Sequence, residues 1–306
     1  MKLLITGSGG KVGRATVAAA QAAGHEVTTV DLHPPDFDRP EPGAPRYQQA
    51  DLTDAGSAYS LVARTRFDAV IHVAAIPEPT RHPPHVVFHN NLMGTFNLLE
   101  AAVRLGVPRF VNVSSETVPG FFFPERPWLP DYLPIDEEHP VRPQDPYALA
   151  KSFGEQLCDA AVARSDIKAI SIRPSWVQTA DNYARNLGPQ LRDPDEPSAG
   201  YWAYIDAEDL ADALLLAAGS DLPGHEVFYI ASPDTASTLT LPELLERHGV
   251  AGKIPLRQLA RPDAGGISIE KARRLLGYDP QRSWRDHLDE QGRPRGSERP
   301  DGGRLS

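Results

Sequence analysis

LLITGSGGKVG, residues 3–13, places a short apolar run directly before three evenly spaced glycines, Gly7, Gly10 and Gly13. The run predicts a strand over residues 3–6, and the Ala- and Val-rich stretch behind it predicts a helix over residues 11–23. Glycines at such a turn let the backbone approach a pyrophosphate, which then rests on the helix N-terminus. The turn therefore predicts a dinucleotide site formed by Gly7, Gly10, Lys11, Val12 and Gly13.

A carboxylate ends the next predicted strand. Residues 26–30 form that strand, and Asp31 closes it about 20 residues beyond the glycines. A carboxylate at this point can accept hydrogen bonds from both hydroxyls of a cofactor ribose. Its charge would repel a 2′-phosphate, so we predict NAD rather than NADP as the cofactor.

The first half of the chain alternates short β-rich runs with longer Ala- and Leu-rich ones. This alternation predicts an α/β fold with a doubly wound parallel sheet of the Rossmann type, whose site lies beyond the carboxyl ends of the strands. Further strands are predicted over residues 69–73, 110–113 and 169–172, and further helices over residues 91–105 and 147–164.

Composition excludes several classes of partner. The chain has 306 residues and a formal charge of −10, so no basic stripe is expected to bind nucleic acid. No uncharged apolar run approaches the roughly 20 residues that span a bilayer. One cysteine, Cys158, rules out an internal disulfide, and the histidines of residues 82–89 lack good metal-ligand spacing. We expect a cytoplasmic protein without a metal, a nucleic-acid partner or a membrane span.

Tyr147 and Lys151 are four residues apart, about one helical turn, so both side chains point from one face of a helix. A free tyrosine has a pKa near ~10 and is a poor base at neutral pH. Lowering that pKa to ~7 takes roughly 4 kcal/mol. A nearby ammonium, helped by a cationic nicotinamide, is a source for that shift.

Motifs in several parts of the chain join these features. They are Asp51-Leu52, His72-Val73-Ala74-Ala75, Asn91-Leu92-Met93-Gly94-Thr95, Val113-Ser114-Ser115 and Tyr204-Ile205-Asp206. From Met1 to about Trp284 the chain resembles the extended short-chain dehydrogenases/reductases of the NAD-dependent epimerase/dehydratase family. The resemblance implies an enzyme that acts on a carbohydrate and forms a homodimer through the helices predicted over residues 91–105 and 147–164.

The resemblance also implies a catalytic set of Ser115, Tyr147 and Lys151. Tyr147 takes the proton of a substrate hydroxyl, Ser115 hydrogen-bonds the same oxygen, and Lys151 binds the nicotinamide ribose and lowers the tyrosine pKa. His72 is expected to be structural or close to the cofactor. Besides the glycine turn and Asp31, the residues expected to contact NAD are Asp51, Leu52, Ala74, Ala75, Asn91, Tyr147, Lys151 and Pro174.

Three functions remain open. A dehydratase is disfavoured, because Glu116-Thr117 stands where such enzymes carry Asp-Glu after the catalytic hydroxyl. A sugar 4-epimerase that retains NAD is the alternative, although the run from Arg173 to Trp176 lacks its usual asparagine. Only about 30 residues separate Pro174 from Tyr204, which favours a dehydrogenase that oxidises a free sugar or sugar acid and releases NADH. A non-catalytic NAD sensor is the third hypothesis.

The predicted organisation interleaves two parts. Residues 1–176 form the NAD-binding domain, to which residues 202–236 return, while residues 177–201 and 237–290 form a small C-terminal substrate lobe. Arg185 and Arg192 in the lobe could hold a carboxylate or phosphate. The Pro- and aromatic-rich segment over residues 119–146 is expected to be an ordered lid, and residues 291–306 a disordered tail.

Overall fold

The computed structural model describes residues 1–34, 43 and 45–295. Within these residues the strands are β1 (Lys2–Thr6), β2 (Glu26–Asp31), β3 (Arg46–Gln49), β4 (Ala69–His72), β5 (Arg109–Val113), β6 (Lys168–Pro174), β7 (Val177–Gln178), β8 (Ile205–Asp206) and β9 (His225–Ile230). The helices are α1 (Lys11–Ala22), α2 (Ala55–Ala63), α3 (Pro84–Arg104), α4 (Pro146–Ala163), α5 (Tyr183–Asn186), α6 (Gly188–Arg192), α7 (Ala207–Gly219), α8 (Leu241–Arg247), α9 (Glu270–Leu276) and α10 (Trp284–His287).

Most of the strands form a single parallel sheet. Across the described residues its order is β3-β2-β1-β4-β5-β6-β9, and β7 and β8 pair separately. Every neighbouring pair in the large sheet is parallel. The chain reverses its direction of travel between β1 and β4, and sheets of this kind bind ligands at the carboxyl ends of the strands beside that point. The predicted doubly wound α/β fold is confirmed.

Each face of the sheet carries its own apolar core. Side chains alternate between faces along a strand, so Leu3 and Ile5 belong to one core and Leu4 to the other. Helices α1 and α7 pack on the first face, and α2, α3 and α4 on the second. None of the helices in the described part of the chain is long and apolar enough to cross a membrane.

The start of α3 differs from the prediction. The helix was expected over residues 91–105, whereas it begins at Pro84 and ends at Arg104. Proline suits the first turn of a helix, because its fixed φ is already helical and its missing N–H would be unpaired there. The prolines before the helix therefore mark its start, although they resemble a loop in the sequence.

The segments assigned to the lobe share a core with the sheet. Leu244 of α8 and Trp284 of α10 are fully buried in the same cluster as Leu3 of β1. The proposed interleaving of the two parts is compatible with this continuous packing. The tail was expected to be disordered from residue 291, but Arg295 N donates to His287 O at 2.8 Å. Residues 291–295 thus form a hydrogen-bonded turn, and residues 296–306 lie outside the described residues.

The segment between β5 and α4 is ordered against the lobe. Leu133 N donates to Pro255 O at 2.9 Å, and Ile135 N donates to Gly266 O at 2.8 Å. The rings of Phe121 and Phe122 stack with centroids 4.8 Å apart. The two hydrogen bonds attach the segment predicted to be a lid to residues 255 and 266, and the stacked rings lie near the start of that segment.

A buried ion pair links α4 to the sheet. Arg173 of β6 donates to both carboxylate oxygens of Glu155, at 2.8 and 2.7 Å, and Ser114 Oγ donates to the same carboxylate at 2.6 Å. The two charged residues are only 3% and 7% exposed. Removing one partner from such a pair leaves an uncompensated buried charge, which is strongly destabilising.

Replacing Glu155 should therefore weaken the fold. We expect Glu155→Gln to lower the free energy of unfolding by about 3 kcal/mol, because the guanidinium of Arg173 stays buried without its counter-charge. Urea unfolding followed by circular dichroism measures this change. Glu270→Gln is the matched control, since the Glu270–Arg273 pair on α9 is much more exposed and should contribute less than about 1 kcal/mol. Equal losses in both variants would contradict the structural role of the buried pair.

Candidate active site

The glycine turn after β1 packs too closely for larger residues. Gly7 has φ of +69°, in the left-handed region that favours glycine. A Cβ on Gly7 would lie 2.7 Å from the Cα of Ala74, and a Cβ on Gly13 would lie 2.0 Å from Gly7 O. The predicted glycines thus allow the turn to pack against the end of β4. They also allow the start of α1 to pack against the turn.

The N-terminus of α1 opens from this turn. Gly10 is its N-cap residue and has no side chain to bond the first backbone N–H groups, which are therefore open to an anion. Lys11 is exposed at the first helical position, with Nζ 3.5 Å from Val177 O, and Val12 packs partly buried against the core. The residues present fit a cofactor pyrophosphate.

Asp31 ends β2 beside the glycine turn. Its Oδ2 accepts a hydrogen bond from Gly9 N at 2.9 Å, and its Oδ1 accepts one from His33 N at 3.3 Å. Each carboxylate oxygen has a second lone pair, so the side chain can brace the turn and still accept a ribose hydroxyl. This position matches the one expected for a ribose-binding carboxylate.

The loop after β3 is fixed by α3. Asp51 Oδ1 accepts hydrogen bonds from Thr53 N at 2.8 Å and Thr53 Oγ1 at 2.7 Å. Leu52 is buried, and Asn97 Nδ2 donates to the backbone oxygens of Leu52 and Thr53 at 3.0 Å each. The predicted contact of Asp51 and Leu52 with NAD would therefore be made by a rigid turn.

The end of β4 is held from both sides. Ala74 N donates to Thr6 Oγ1 at 3.2 Å, and Ala75 follows it. Asn91 then clamps the loop, because its side chain accepts from Ile76 N at 2.8 Å and donates to Ile76 O at 2.9 Å. The side-chain amide of Asn91 thus hydrogen-bonds the backbone of the loop after β4. Ala74 and Ala75 in this loop are the residues predicted to contact the cofactor.

His72 is a neutral structural residue. Its Nδ1 lies 2.8 Å from Thr6 Oγ1 and its Nε2 lies 3.1 Å from Thr95 Oγ1. Burial, with a smaller contribution from the charge of Lys151, lowers its pKa to about 3. Both ring nitrogens are occupied by hydroxyls. No group of three or more His, Cys, Asp and Glu side chains suited to a metal occurs within the residues the structure describes.

Ser115, Tyr147 and Lys151 come together at the carboxyl end of β5. Lys151 Nζ donates to Val113 O at 2.6 Å and lies 5.7 Å from the centroid of the Tyr147 ring. Ser115 Oγ accepts from Thr117 Oγ1 at 3.0 Å and from Thr117 N at 3.1 Å. All three predicted catalytic residues are buried. The structure thus brings a hydroxyl, a phenol and an ammonium into one water-poor site.

The net effect of the protein's own groups is to raise the pKa of Tyr147. Burial raises it to about 12, and the charges of Asp145 and Glu116 add to the rise, whereas the Ser115 hydroxyl opposes it. Burial also lowers the pKa of Lys151 to about 8, against the opposing charge of Glu155. Lys151 by itself does not bring the tyrosine pKa below its usual value, because desolvation of the phenolate is the larger effect. The lowering expected from the ammonium together with a cationic nicotinamide stays a prediction.

Asp145 positions Tyr147 and was missed in the sequence. Its Oδ1 accepts hydrogen bonds from Tyr147 N and Ala148 N, both at 2.9 Å, which caps α4. The pattern of an aspartate followed by Pro146 is a recognisable helix start, so a signal was present. The Glu155–Arg173 pair had no such signal, because the two residues lie on different elements.

The remaining predicted residues, Pro174, Arg185 and Arg192, lie in three different surroundings. Pro174 ends β6, and its carbonyl accepts a hydrogen bond from Glu116 N at 3.1 Å. The charge of Arg185 acts on Lys11, whose pKa is lowered mainly by burial. Arg192 Nη1 lies 3.5 Å from Gly292 O, near the last described turn. The structure thus puts Arg185 near the glycine turn, while Arg192 contacts the C-terminal segment.

Comparisons with known proteins agree with this geometry. Residues 3–189 match the model of the NAD-dependent epimerase/dehydratase family. A UDP-glucose 4-epimerase of Corynebacterium glutamicum is 26% identical over 92% of this chain and 91% of its own. A short-chain dehydrogenase/reductase superfamily protein of Agrobacterium tumefaciens, solved with bound NAD, is 25% identical with a TM-score of 0.69 and covers 95% and 96% of the two chains.

A glucuronic acid dehydrogenase of Chromohalobacter salexigens is a further structural neighbour. It is 27% identical with a TM-score of 0.65, over 93% of this chain and 87% of its own. The predicted cofactor NAD and the predicted enzyme class are confirmed by these matches. With its glycine turn, its parallel sheet and its match over residues 3–189, the chain belongs to the NAD-dependent epimerase/dehydratase family.

Proposed function

We propose that the protein oxidises a hydroxyl group of a free sugar or sugar acid with NAD and releases NADH. The observation that carries this proposal is the small size of the segment between β7 and β8. Residues 179–204 contain only the short helices α5 and α6, of four and five residues. A nucleotide-sugar site has to enclose a base and a second pyrophosphate besides the sugar, and this segment offers little structure for that purpose.

The reaction assigns a task to each residue of the site. NAD, held by the glycine turn, Asp31 and Lys151, supplies a hydride acceptor when bound. Tyr147 accepts the proton of the substrate hydroxyl, and Ser115 donates a hydrogen bond to the same oxygen. The positive charge of Lys151 stabilises the phenolate, and its bond to Val113 O keeps it on the Tyr147 face of α4. Burial of the three residues excludes water from the proton transfer.

The alternative is a sugar 4-epimerase that retains its cofactor. The similarity to a UDP-glucose 4-epimerase over 92% of the chain favours it. Both activities use the same three residues, so the triad does not separate them. The separating property is net NADH, which a dehydrogenase accumulates and an epimerase does not.

The test is absorbance at 340 nm with NAD and a panel of free aldoses, uronic acids and nucleotide sugars. We expect more than one NADH per protein with a free sugar, and Tyr147→Phe should reduce kcat about 100- to 10,000-fold, since general-base catalysis is lost. Tyr59→Phe on α2 is the control, because this half-exposed tyrosine should not affect turnover.

Two results would contradict the dehydrogenase proposal. Conversion of a nucleotide sugar to its epimer without net NADH would favour the epimerase. NAD binding without turnover of any substrate would favour the non-catalytic sensor. Near-full activity of Tyr147→Phe would instead refute the assignment of Tyr147 as the base.

The cofactor preference depends on Asp31. Removing its carboxylate in Asp31→Ala should raise the KM for NAD about tenfold or more, because hydrogen bonds from a ribose to a charged acceptor are lost. The same change should narrow the advantage of NAD over NADP, since the repulsion of a 2′-phosphate disappears. Steady-state kinetics with both cofactors measure this, with Asp166→Ala as an exposed control. An unchanged NAD-to-NADP ratio would contradict the role of Asp31.

We also propose a cytoplasmic homodimer. Cys158 is a buried free thiol, which fits a reducing compartment. On the outer faces of α3 and α4, Phe96 is 39%, Phe153 39% and Leu105 44% exposed. An apolar surface shared by two adjacent helices is suited to pairing with its own copy around a two-fold axis.

An aspartate in this surface should separate the subunits. We expect Phe153→Asp to convert a dimer to a monomer in sedimentation velocity, because the carboxylate would be buried in an apolar interface. Leu216→Asp on α7 is the control, since Leu216 is 40% exposed on the opposite face of the sheet. A wild-type protein that is monomeric at micromolar concentration would contradict the dimer proposal.

A further inference from the structure

Three buried side-chain oxygens beside the triad, on Glu116, Ser175 and Asp145, have no partner at full hydrogen-bond distance. Glu116 follows Ser115 directly and is 7% exposed, and Ser175 is 2% exposed. The Ser175 hydroxyl is near enough to the Glu116 carboxyl group to act on its pKa. Glu116 and Ser175 follow the ends of the adjacent strands β5 and β6, and Glu116 N donates to Pro174 O at 3.1 Å, one residue before Ser175. Buried polar atoms without partners are rare and costly in folded proteins, so this pair calls for an explanation.

Burial favours the neutral, protonated form of Glu116. Burial raises the pKa of its carboxyl group well above the usual range, and only the Ser175 hydroxyl opposes the rise. A protonated carboxyl group offers one O–H donor together with acceptor lone pairs. The neutral form also suits Tyr147, because the charge of an ionised Glu116 is one of the contributions that raise the pKa of the phenol.

An aromatic wall lies next to these groups. A Cβ on Gly200 would be 3.5 Å from Glu116 Oε2 and 3.2 Å from Phe122 Cε1, so the bare backbone of Gly200 separates acid from ring. Phe121 stacks on Phe122 and meets the ring of Tyr201 edge-on, with centroids 5.8 Å apart. Polar groups beside aromatic rings suit a sugar, whose ring has apolar faces and a rim of hydroxyls.

The backbone holds Tyr201 in place at some cost. Tyr201 and Trp202 both have positive φ, +50° and +57°. Gly266 permits this turn, because a Cβ there would lie 2.2 Å from the Cβ of Tyr201. Strained non-glycine residues persist where the surroundings dictate the conformation, and they concentrate at ligand sites.

Cations near this pair have other partners. Lys151 bonds Val113 O at 2.6 Å, and Arg173 is bound to Glu155 through both of its oxygens. A carboxylate substrate is typically bound by an arginine fork, so this location favours an uncharged ligand.

We propose that Glu116 and Ser175 form a subsite that binds a second hydroxyl of a neutral sugar, next to the hydroxyl held by Ser115 and Tyr147. The inference rests on the proposed dehydrogenase function and narrows its substrate class from sugars and sugar acids to neutral aldoses. Glu116 donates one hydrogen bond to the sugar hydroxyl and accepts another from it, and Ser175 completes the pair.

The experiment compares kcat/KM for D-galactose, D-glucose and L-arabinose with that for 2-deoxy-D-galactose, 2-deoxy-D-glucose, D-galacturonate and D-glucuronate. Wild-type protein should prefer neutral aldoses to the matching uronates. Glu116→Gln, a neutral isostere with a donor and an acceptor, should retain activity within about threefold. Glu116→Ala should lower kcat/KM for the best aldose about 10- to 100-fold, because the sugar hydroxyl loses its hydrogen-bond partner.

Two controls separate a subsite from a structural role. The loss in Glu116→Ala should shrink for a substrate that lacks the recognised hydroxyl, which a general loss of folding would not produce. Glu137→Ala removes a partly buried glutamate that also has a raised pKa, located in a cleft with Val141 and Lys271, and should leave the ratio of aldose to deoxy-sugar activity unchanged. Thermal melting and NAD titration monitor folding in every variant.

The outcomes are distinct. Full aldose activity in Glu116→Ala, or better use of a uronate than of its aldose by the wild type, would overturn the subsite while leaving the dehydrogenase intact. A lack of NADH from all seven compounds, with turnover of a nucleotide sugar, would overturn the proposed function together with the subsite.

Discussion

The site depends on the hydrogen bond that the buried ammonium of Lys151 donates to Val113 O. This bond ties α4 to the end of β5, and this tie sets Tyr147 against the strand that carries Ser115. A lysine is costly to bury, and the lowered pKa of its side chain, about 8, records that cost. The surrounding structure offsets it through the charge of Glu155, which itself holds Arg173. The charges of Lys151, Glu155 and Arg173 therefore connect the packing of α4 on the sheet to the position of the candidate catalytic residues.

The parallel sheet explains why distant parts of the chain meet here. The glycine turn follows β1, the alanines follow β4, Ser115 follows β5 and Pro174 ends β6. In a parallel sheet all of these ends lie along one edge, so a cofactor laid across that edge would be within reach of each of them. Helix α4 then contributes its first two turns, aligned by the Asp145 cap. The site is assembled from elements that are individually rigid.

Much of this arrangement could be predicted from the sequence, because local rules govern it. The glycines of the turn are required by close packing, and the central strands are rich in apolar residues because a parallel sheet is covered on both faces. The start of α3 was missed because prolines are equally at home in loops and in first helical turns. The Glu155–Arg173 pair and the pKa of Tyr147 could not be predicted, since both depend on burial across elements far apart in sequence. The predicted lobe contains few sequence motifs, and the arrangement of its side chains follows from tertiary packing.

The central claim is that Tyr147 is the base and that a bound cofactor must overcome the pKa of about 12 that burial imposes. The most direct measurement is the dependence of kcat/KM for the sugar on pH with NAD saturating. The account predicts that the rate rises with pH and levels off at a pKa well below 12, because positive charge near the phenolate favours its ionised form. A rate that climbs with unit slope up to pH ~10 without levelling off would contradict it, since ~10 is the pKa of an unassisted tyrosine.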